Sequence, residues 1–444
     1  MEFISGVKEK EDLSIAQLLE EERIGKCVKV CGAVHSIRKS GIVQFLILRK
    51  ADGLVQGVYE EGKTKFSLKG VKEGASVIAS GILEKNEKAP HGVELRLSGL
   101  KILSSPKSEA LPLPINKWKL KTSLEAKLNY RSISLRNLRE RAKFKLQEGI
   151  TRAFRDFLYS QGFTEIHTPK IGAKGAEGGA NVFKLEYFHK PAVLEQSPQF
   201  YKQMMVGVFD RVFETAPVFR AEKHNTKRHL NEYTSLDFEM GYIDGFEDIM
   251  AMETGFLQYA IKLLGSEYTK ELDILKITLP KADNIPAVKF ADIKEAVAKE
   301  YNHTMRNPFD LEPEEETLIG RYAKEKWDSD FVFVTHYPSK KRPVYAMDDP
   351  EDTRFTLSFD LLYKGMEITT GGQRIHEYDK LIEKIEARGM STDGMEYYLD
   401  AFKYGMPPHG GLGIGLERLT MKLCDEDNVR ETTLFPRDMG RLEP

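Results

Sequence analysis

"FRAEKHNTKRHLNEYTSLDFEM", residues 219–240, decides how the larger part of this 444-residue chain reads. Two short runs look like strands, and a loop loaded with Lys, Arg and His joins them. Side chains alternate between faces along a strand. In the first run Arg220 and Glu222 share one face, and Phe219 and Ala221 take the other. In the second, Tyr233, Ser235, Asp237 and Glu239 share a face opposite Thr234, Leu236, Phe238 and Met240. The apolar side predicts packing against helices. The charged side has two readings: the solvated outside of an edge hairpin, or the floor of a site for a charged ligand. The hairpin alone leaves both open.

The chain around it adds pieces of the second kind. "FDLLYKGMEITTGGQRIHEY" (359–378) alternates again, with Glu367 and Thr369 on one face and two glycines before Arg374. Asp360 and Glu367 form an oxygen pair suited to a hard divalent cation such as Mg²⁺. "GGLGIGLER" (410–418) sets four glycines before a helix that opens with Glu417 and Arg418. Glycines let the backbone approach a ligand, a helix N-terminus favours anions, and an Arg there can grip a phosphate. The spacing matches neither a dinucleotide-binding fingerprint nor a P-loop. "RAKFKLQEGITRAFRDFLYSQGF" (141–163) carries Phe144, Ile150, Phe154, Phe157 and Leu158 at helical spacing. "FTEIHTPK" (163–170) reads as a strand stopped by Pro169, and "DIMAMETGFLQYAIKLLG" (248–265) as a helix.

The N-terminal part differs in kind. Residues 26–105 contain four or five β-branched runs separated by "KSG", "ADG" and "HGV" turns. That pattern suits a small barrel, either an OB-fold that binds nucleic acid or a barrel for protein contacts. Residues 106–140 read as a basic, Pro-broken connector: from Lys101 to Lys145, twelve Lys or Arg face three Asp or Glu. A formal charge of −2 excludes a global attraction to nucleic acid, so any basic surface is local. Cys27 and Cys31 sit four apart without a second pair, which argues for strand thiols rather than zinc. With few cysteines, no signal-peptide core and no 18-residue apolar run, a cytoplasmic protein without a membrane span is expected.

Taken together, the C-terminal motifs resemble the three signatures of class II aminoacyl-tRNA synthetases. "GFTEIHTPKI" is similar to the first, which builds a homodimer interface. "FRAE…RHLNEYTSLDFEM" is similar to the second and "GGLGIGLER" to the third, in the family's order. With a preceding OB-like barrel, the pattern is that of the subgroup charging Asp, Asn and Lys, and "EQSPQFYKQ" (195–203) looks most like the aspartyl enzymes. About 170 residues separate the second and third motifs (240 to 410), which resembles the compact archaeal and eukaryotic type. The implied architecture is α+β and multidomain. It comprises an OB-fold anticodon-binding domain over 1–105, a linker over 106–140, and a catalytic domain over 141–444, with an antiparallel sheet flanked by helices.

The resemblance implies ATP as substrate and Mg²⁺ as cofactor. It assigns ATP to Arg220, Ala221, Glu222, Arg228, His229, Leu230, Tyr233, Glu367, Gly415, Leu416, Glu417 and Arg418, with Arg220 and Arg418 catalytic. It assigns L-aspartate to Glu177, Gln199, Phe200, Tyr201, Lys202, Arg220, Asp237, Thr370 and Arg374, and the metal to Asp360, Glu367 and Thr370. On the barrel, Phe45 would stack on an anticodon base, with Arg38 and Gln56 nearby. His35 and Pro90 stand where enzymes restricted to tRNA(Asp) tend to carry Trp and Lys. They resemble the non-discriminating members, which also charge tRNA(Asn). The alternatives are a strictly tRNA(Asp)-specific enzyme, an asparaginyl-tRNA synthetase, and a catalytically inactive tRNA-binding paralogue.

Overall fold

The computed structural model describes residues 6–7, 11–173, 181–224 and 226–443. It divides into two compact units, Met1–Arg141 and Ala142–Pro444.

In the first unit, strands β1 (Cys27–Ser40), β2 (Val43–Arg49), β3 (Leu54–Glu60), β4 (Ser76–Lys85) and β5 (Val93–Ser104) close into a barrel of order β1-β2-β3-β5-β4. The period-2 alternation sends Val30, Val34, Leu46, Leu48, Val77, Leu83 and Leu95 into one apolar interior. The barrel expected from the turn spacing is therefore present. Its β1–β2 register shifts between Val34 and Ser36, so His35 is the extra residue of a bulge. In the Pro-broken connector, residues 105–122 carry no helix or strand; helices Leu124–Asn129 and Arg131–Ser134 follow. The Asn137 side chain ties the Pro-rich segment down by donating to the Ile115 and Lys117 carbonyls at 2.9 and 2.6 Å.

In the second unit, eight strands form one sheet. They are β6 (Thr164–Glu165), β10 (Arg211–Phe219), β11 (Glu232–Gly241), β12 (Ala287–Lys289), β13 (Phe331–Thr335), β14 (Ser358–Tyr363), β15 (Glu367–Arg374) and β16 (His409–Gly415). Their order is β12-β13-β14-β15-β16-β11-β10-β6, antiparallel except for the two outermost pairs. A small separate sheet holds β7 (Ile171–Gly172), β8 (Lys184–Tyr187) and β9 (Lys190–Leu194). Both predicted helices form, as Leu138–Ser160 and Glu247–Glu267. They bury Ile150, Phe154, Leu158, Phe256 and Leu263 against Leu236, Phe238 and Met240, the face of β11 that the sequence marked as apolar.

Three local expectations change. "FTEIHTPK" gives only a two-residue strand; Ile166 N still donates to the Phe213 carbonyl at 2.9 Å, and from Thr168 a side chain takes over. Glu214 accepts from Thr168 N and Oγ1 at 2.8 and 2.7 Å. Strand β10 ends at Phe219, so Arg220 and Glu222 lie beyond the sheet rather than on a strand face. Between β14 and β15 the register shifts at Leu361/Leu362, making Ile368 the extra residue. A bulge reverses the alternation beyond it. Thr369 therefore turns to the helix side, donating to Glu253 at 2.6 Å, while Thr370 joins Glu367 on the opposite face.

Candidate active site

The sheet face away from the helical core carries a cavity of about 500 Å³. Its floor is built by β11, β15 and β16, and its walls by helix Gln199–Phe209, the segment after β10 and residues 341–346. Gln199, Lys202, Arg220, Glu222, Arg228, His229, Leu230, Tyr233, Asp237, Glu367, Thr370, Arg374, Gly415, Glu417 and Arg418 all line it. These residues come from segments up to 219 positions apart, and only the fold brings them together.

At one end sits a buried charge network. Lys202 Nζ lies 3.0 Å from Asp237 Oδ1, 3.3 Å from Glu239 Oε2 and 2.8 Å from the Leu412 carbonyl. Arg374 Nε donates to Glu239 Oε1 at 2.9 Å, and its Nη2 to the Gly411 carbonyl at 2.9 Å. Burial raises the Glu239 pKa, but Arg374 and Lys202 outweigh it and hold the carboxyl below its ordinary range. Helix Gln199–Phe209 is anchored by a buried chain. Tyr398 OH donates to Gln203 Oε1 at 3.1 Å, and Gln203 Nε2 meets His409 Nε2 at 3.0 Å. Burial takes the His409 pKa down to about 4, so its imidazole is neutral. With Nδ1 2.9 Å from the Pro407 carbonyl, the proton belongs on Nδ1 and Nε2 accepts from Gln203.

At the other end guanidinium groups gather. Arg228 Nη2 contacts both oxygens of Glu316 at 2.9 and 2.7 Å, and Glu316 also accepts from Glu367 N at 2.9 Å. Arg418 donates to the Arg228 and Glu367 carbonyls at 3.2 Å each and lies 3.3 Å from Glu367 Oε1. Burial pushes the Glu367 pKa up, yet Arg418, Arg228, Arg342 and Arg220 together bring it below the usual value. His229 is pulled down to about 4 by burial, then by Arg418 and Arg228. Arg220 N donates to the Asn231 carbonyl at 2.8 Å, and Asn231 Nδ2 donates back to the Arg220 and Glu222 carbonyls at 2.6 and 3.1 Å, which shapes the chain after β10. Tyr233 packs on Leu230, Met421 and Val429.

Several predicted positions do not face the cavity. Phe200 is core, stacked on Tyr398 with centroids 4.2 Å apart, and Leu416 is buried in the main core. Tyr201 and Ala221 are absent from the lining. Glu417 reaches the cavity, but both its oxygens accept from Thr234 N at 3.1 Å, so the carboxylate is held by the protein backbone. Glu177 lies outside the described residues. Asp360 sits behind the wall, its Oδ1 2.8 Å from Arg342 Nη2. Arg342, Lys341, Tyr345, Ser358 and Gln196 line the cavity without having been singled out in the sequence. Arg342 stands in "SKKRP" and Glu316 in "PEEET", charge runs that look solvated, and no spacing distinguishes them.

On the barrel, Arg38 is exposed and faces half-buried Phe45 across the β1–β2 pair. Gln56 donates to Glu94 at 2.9 Å, and Pro90 opens a short 3₁₀ turn. His35 is buried, with its pKa taken to about 4 by burial and then by Arg49, Arg141 and Arg38. Among the described residues, no helix is long and apolar enough to cross a membrane.

Two family descriptions match the chain: "tRNA synthetases class II (D, K and N)" over residues 123–439 and "OB-fold nucleic acid binding domain" over 28–103. The aspartate–tRNA(Asp/Asn) ligase of Thermus thermophilus is 44% identical, covering 95% of this chain and 97% of its own. The aspartate–tRNA(Asp) ligase of Pyrococcus horikoshii is 41% identical, covering 96% and 98%. Among solved structures, asparaginyl-tRNA synthetase from Pyrococcus horikoshii complexed with asparaginyl-adenylate superposes with a TM-score of 0.90. It is 31% identical and covers 98% of this chain and 100% of that one. With its OB-fold barrel and its sheet-borne cavity, the chain belongs to the class II aminoacyl-tRNA synthetases of the D, K and N group.

Proposed function

We propose that the protein attaches L-aspartate to tRNA through an aspartyl-adenylate, acting in the cytoplasm as a homodimer. The observation that carries aspartate is the cavity end where Lys202 and Arg374 stand with Asp237. Aspartate offers two carboxylates and one ammonium. The ammonium suits Asp237, and the side-chain carboxylate suits the two cations through charge-assisted hydrogen bonds. A neutral amide would leave one cation poorly matched. The relatives' names point the same way, although the asparaginyl enzyme shares the fold as fully.

In the first step the α-carboxylate attacks the α-phosphorus of ATP and pyrophosphate leaves. Anion meets anion, so catalysis rests on positioning and on cations where charge builds. Arg220 would hold the α-phosphate, Arg418 the γ-phosphate, and Tyr233 the adenine ring. Glu222 would accept from the adenine amino group, and the Arg228–Leu230 loop would close over the nucleotide. Glu367, Asp360 and Thr370 would hold Mg²⁺, which screens phosphate charge when bound. Charge repulsion supports that reading: burial raises the Asp360 pKa to about 6, Arg342 opposes the rise, and the charge of Glu367 adds to it. Two carboxylates that repel each other gain from a shared cation. In the second step the terminal ribose hydroxyl of tRNA attacks the anhydride; no side chain of the cavity stands out as its base.

His35 and Pro90 favour acceptance of tRNA(Asn) as well as tRNA(Asp). Charging transcripts of both with aspartate tests this. Comparable charging is expected, and charging of tRNA(Asp) alone would restrict the enzyme to one acceptor.

A further inference from the structure

Each carboxylate of the candidate metal pair is met by its own guanidinium. Glu367 has Arg418 at 3.3 Å, already placed on ATP. Asp360 has Arg342 at 2.8 Å, which no role in the reaction yet explains. Both side chains are buried, and the contact combines opposite charge with a hydrogen bond that favours the charged form of each. A metal ion that takes Asp360 has to displace this partner. The guanidinium lies 3.9 Å from the centroid of the buried Tyr337 ring, whose face favours a cation. Its backbone is fixed: Arg388 donates to the Arg342 and Ser339 carbonyls at 2.7 and 2.5 Å. A rigid support thus places a cation against Asp360 at the border of the cavity, which Arg342 also lines.

We propose that Arg342 is the resident counter-ion of the divalent-cation site. It neutralises Asp360 while no metal is bound and competes with metal for that carboxylate. This rests on the reading that Asp360 and Glu367 hold the cation. The consequence is a site that takes metal weakly alone and well together with a polyphosphate, whose oxygens give Arg342 other acceptors. Binding of nucleotide and metal is thereby coupled through one side chain.

The test is Mn²⁺ binding to the full-length enzyme without nucleotide, followed by the paramagnetic resonance of free Mn²⁺. Arg342→Gln should bind Mn²⁺ on the order of tenfold more tightly than wild type, because a competing charge is gone. Arg342→Lys keeps the charge and should bind like wild type. Adding Asp360→Asn to Arg342→Gln should remove the gain. Unchanged or weaker binding by Arg342→Gln overturns the proposal, as does a tenfold gain in Arg342→Lys, which also serves if the Gln variant does not fold. If Asp360→Asn and Glu367→Gln alone leave Mn²⁺ binding unchanged, the metal reading itself fails, a distinct outcome.

Discussion

Lys202, Asp237, Glu239 and Arg374 form a buried quartet, two cations against two anions, with Lys202 bridging both carboxylates. An incoming amino acid with one ammonium and two carboxylates exchanges charge for charge with this set. Lys202→Met leaves Asp237 without its partner and a substrate carboxylate without a cation. Breaking such a pair costs about 3–5 kcal/mol. The KM for aspartate should therefore rise on the order of 100-fold, with the KM for ATP nearly unchanged; parallel rises would remove Lys202 from the amino-acid end. Strand alternation made Asp237 legible from sequence as a cavity residue. Glu239, two positions on, is fully enclosed beneath the cavity because Arg374 and Gly411 cover it, which alternation does not reveal.

At the scale of elements, the β15 bulge matters most. It sends Thr369 to Glu253 and Thr370 to the cavity, and nothing in "MEITTGG" announces which threonine goes where. Burial raises the Glu253 pKa to about 8, against the Thr369 hydrogen bond and with help from the charge of Asp360. The folded state thus keeps a proton that the unfolded chain releases near its ordinary value of 4.5. This group's contribution to stability is full at low pH and is lost as pH rises towards 8. Glu253→Gln keeps an acceptor for Thr369 and cannot ionise. Its melting temperature should gain on wild type steadily from about pH 5 to about pH 8; parallel curves would contradict a protonated Glu253. The β16 glycines act through space. A Cβ on Gly411 would lie 2.2 Å from both Glu239 Oε2 and the Phe238 carbonyl. Gly411→Ala should cost about 1–3 kcal/mol in urea unfolding and raise the aspartate KM by displacing Glu239. In the sequence the "GGLGIG" run suggested backbone approach to a ligand; at Gly411 the close neighbour is the protein itself.

At the scale of the molecule, two units divide the work. Barrel and sheet were both readable, because period-2 runs and turn residues mark the first and ordered charged motifs mark the second. The connector was less so. Composition shows Pro and basic residues, whereas the first compact unit runs through Arg141 and Asn137 secures its Pro-rich stretch. Separation of roles predicts separable defects. Phe45→Ala removes a candidate stacking platform worth about 1–3 kcal/mol. It should lower kcat/KM for tRNA charging about tenfold or more while leaving amino-acid activation intact; equal loss of both would argue against a barrel confined to RNA binding.

Activation of the amino acid can be read alone, as amino-acid-dependent exchange of pyrophosphate into ATP without tRNA. Exchange should be robust with L-aspartate, at background with L-asparagine, and lost with aspartate in Arg220→Ala. Exchange driven by asparagine, or near-normal exchange in Arg220→Ala, would contradict aspartate activation at this site.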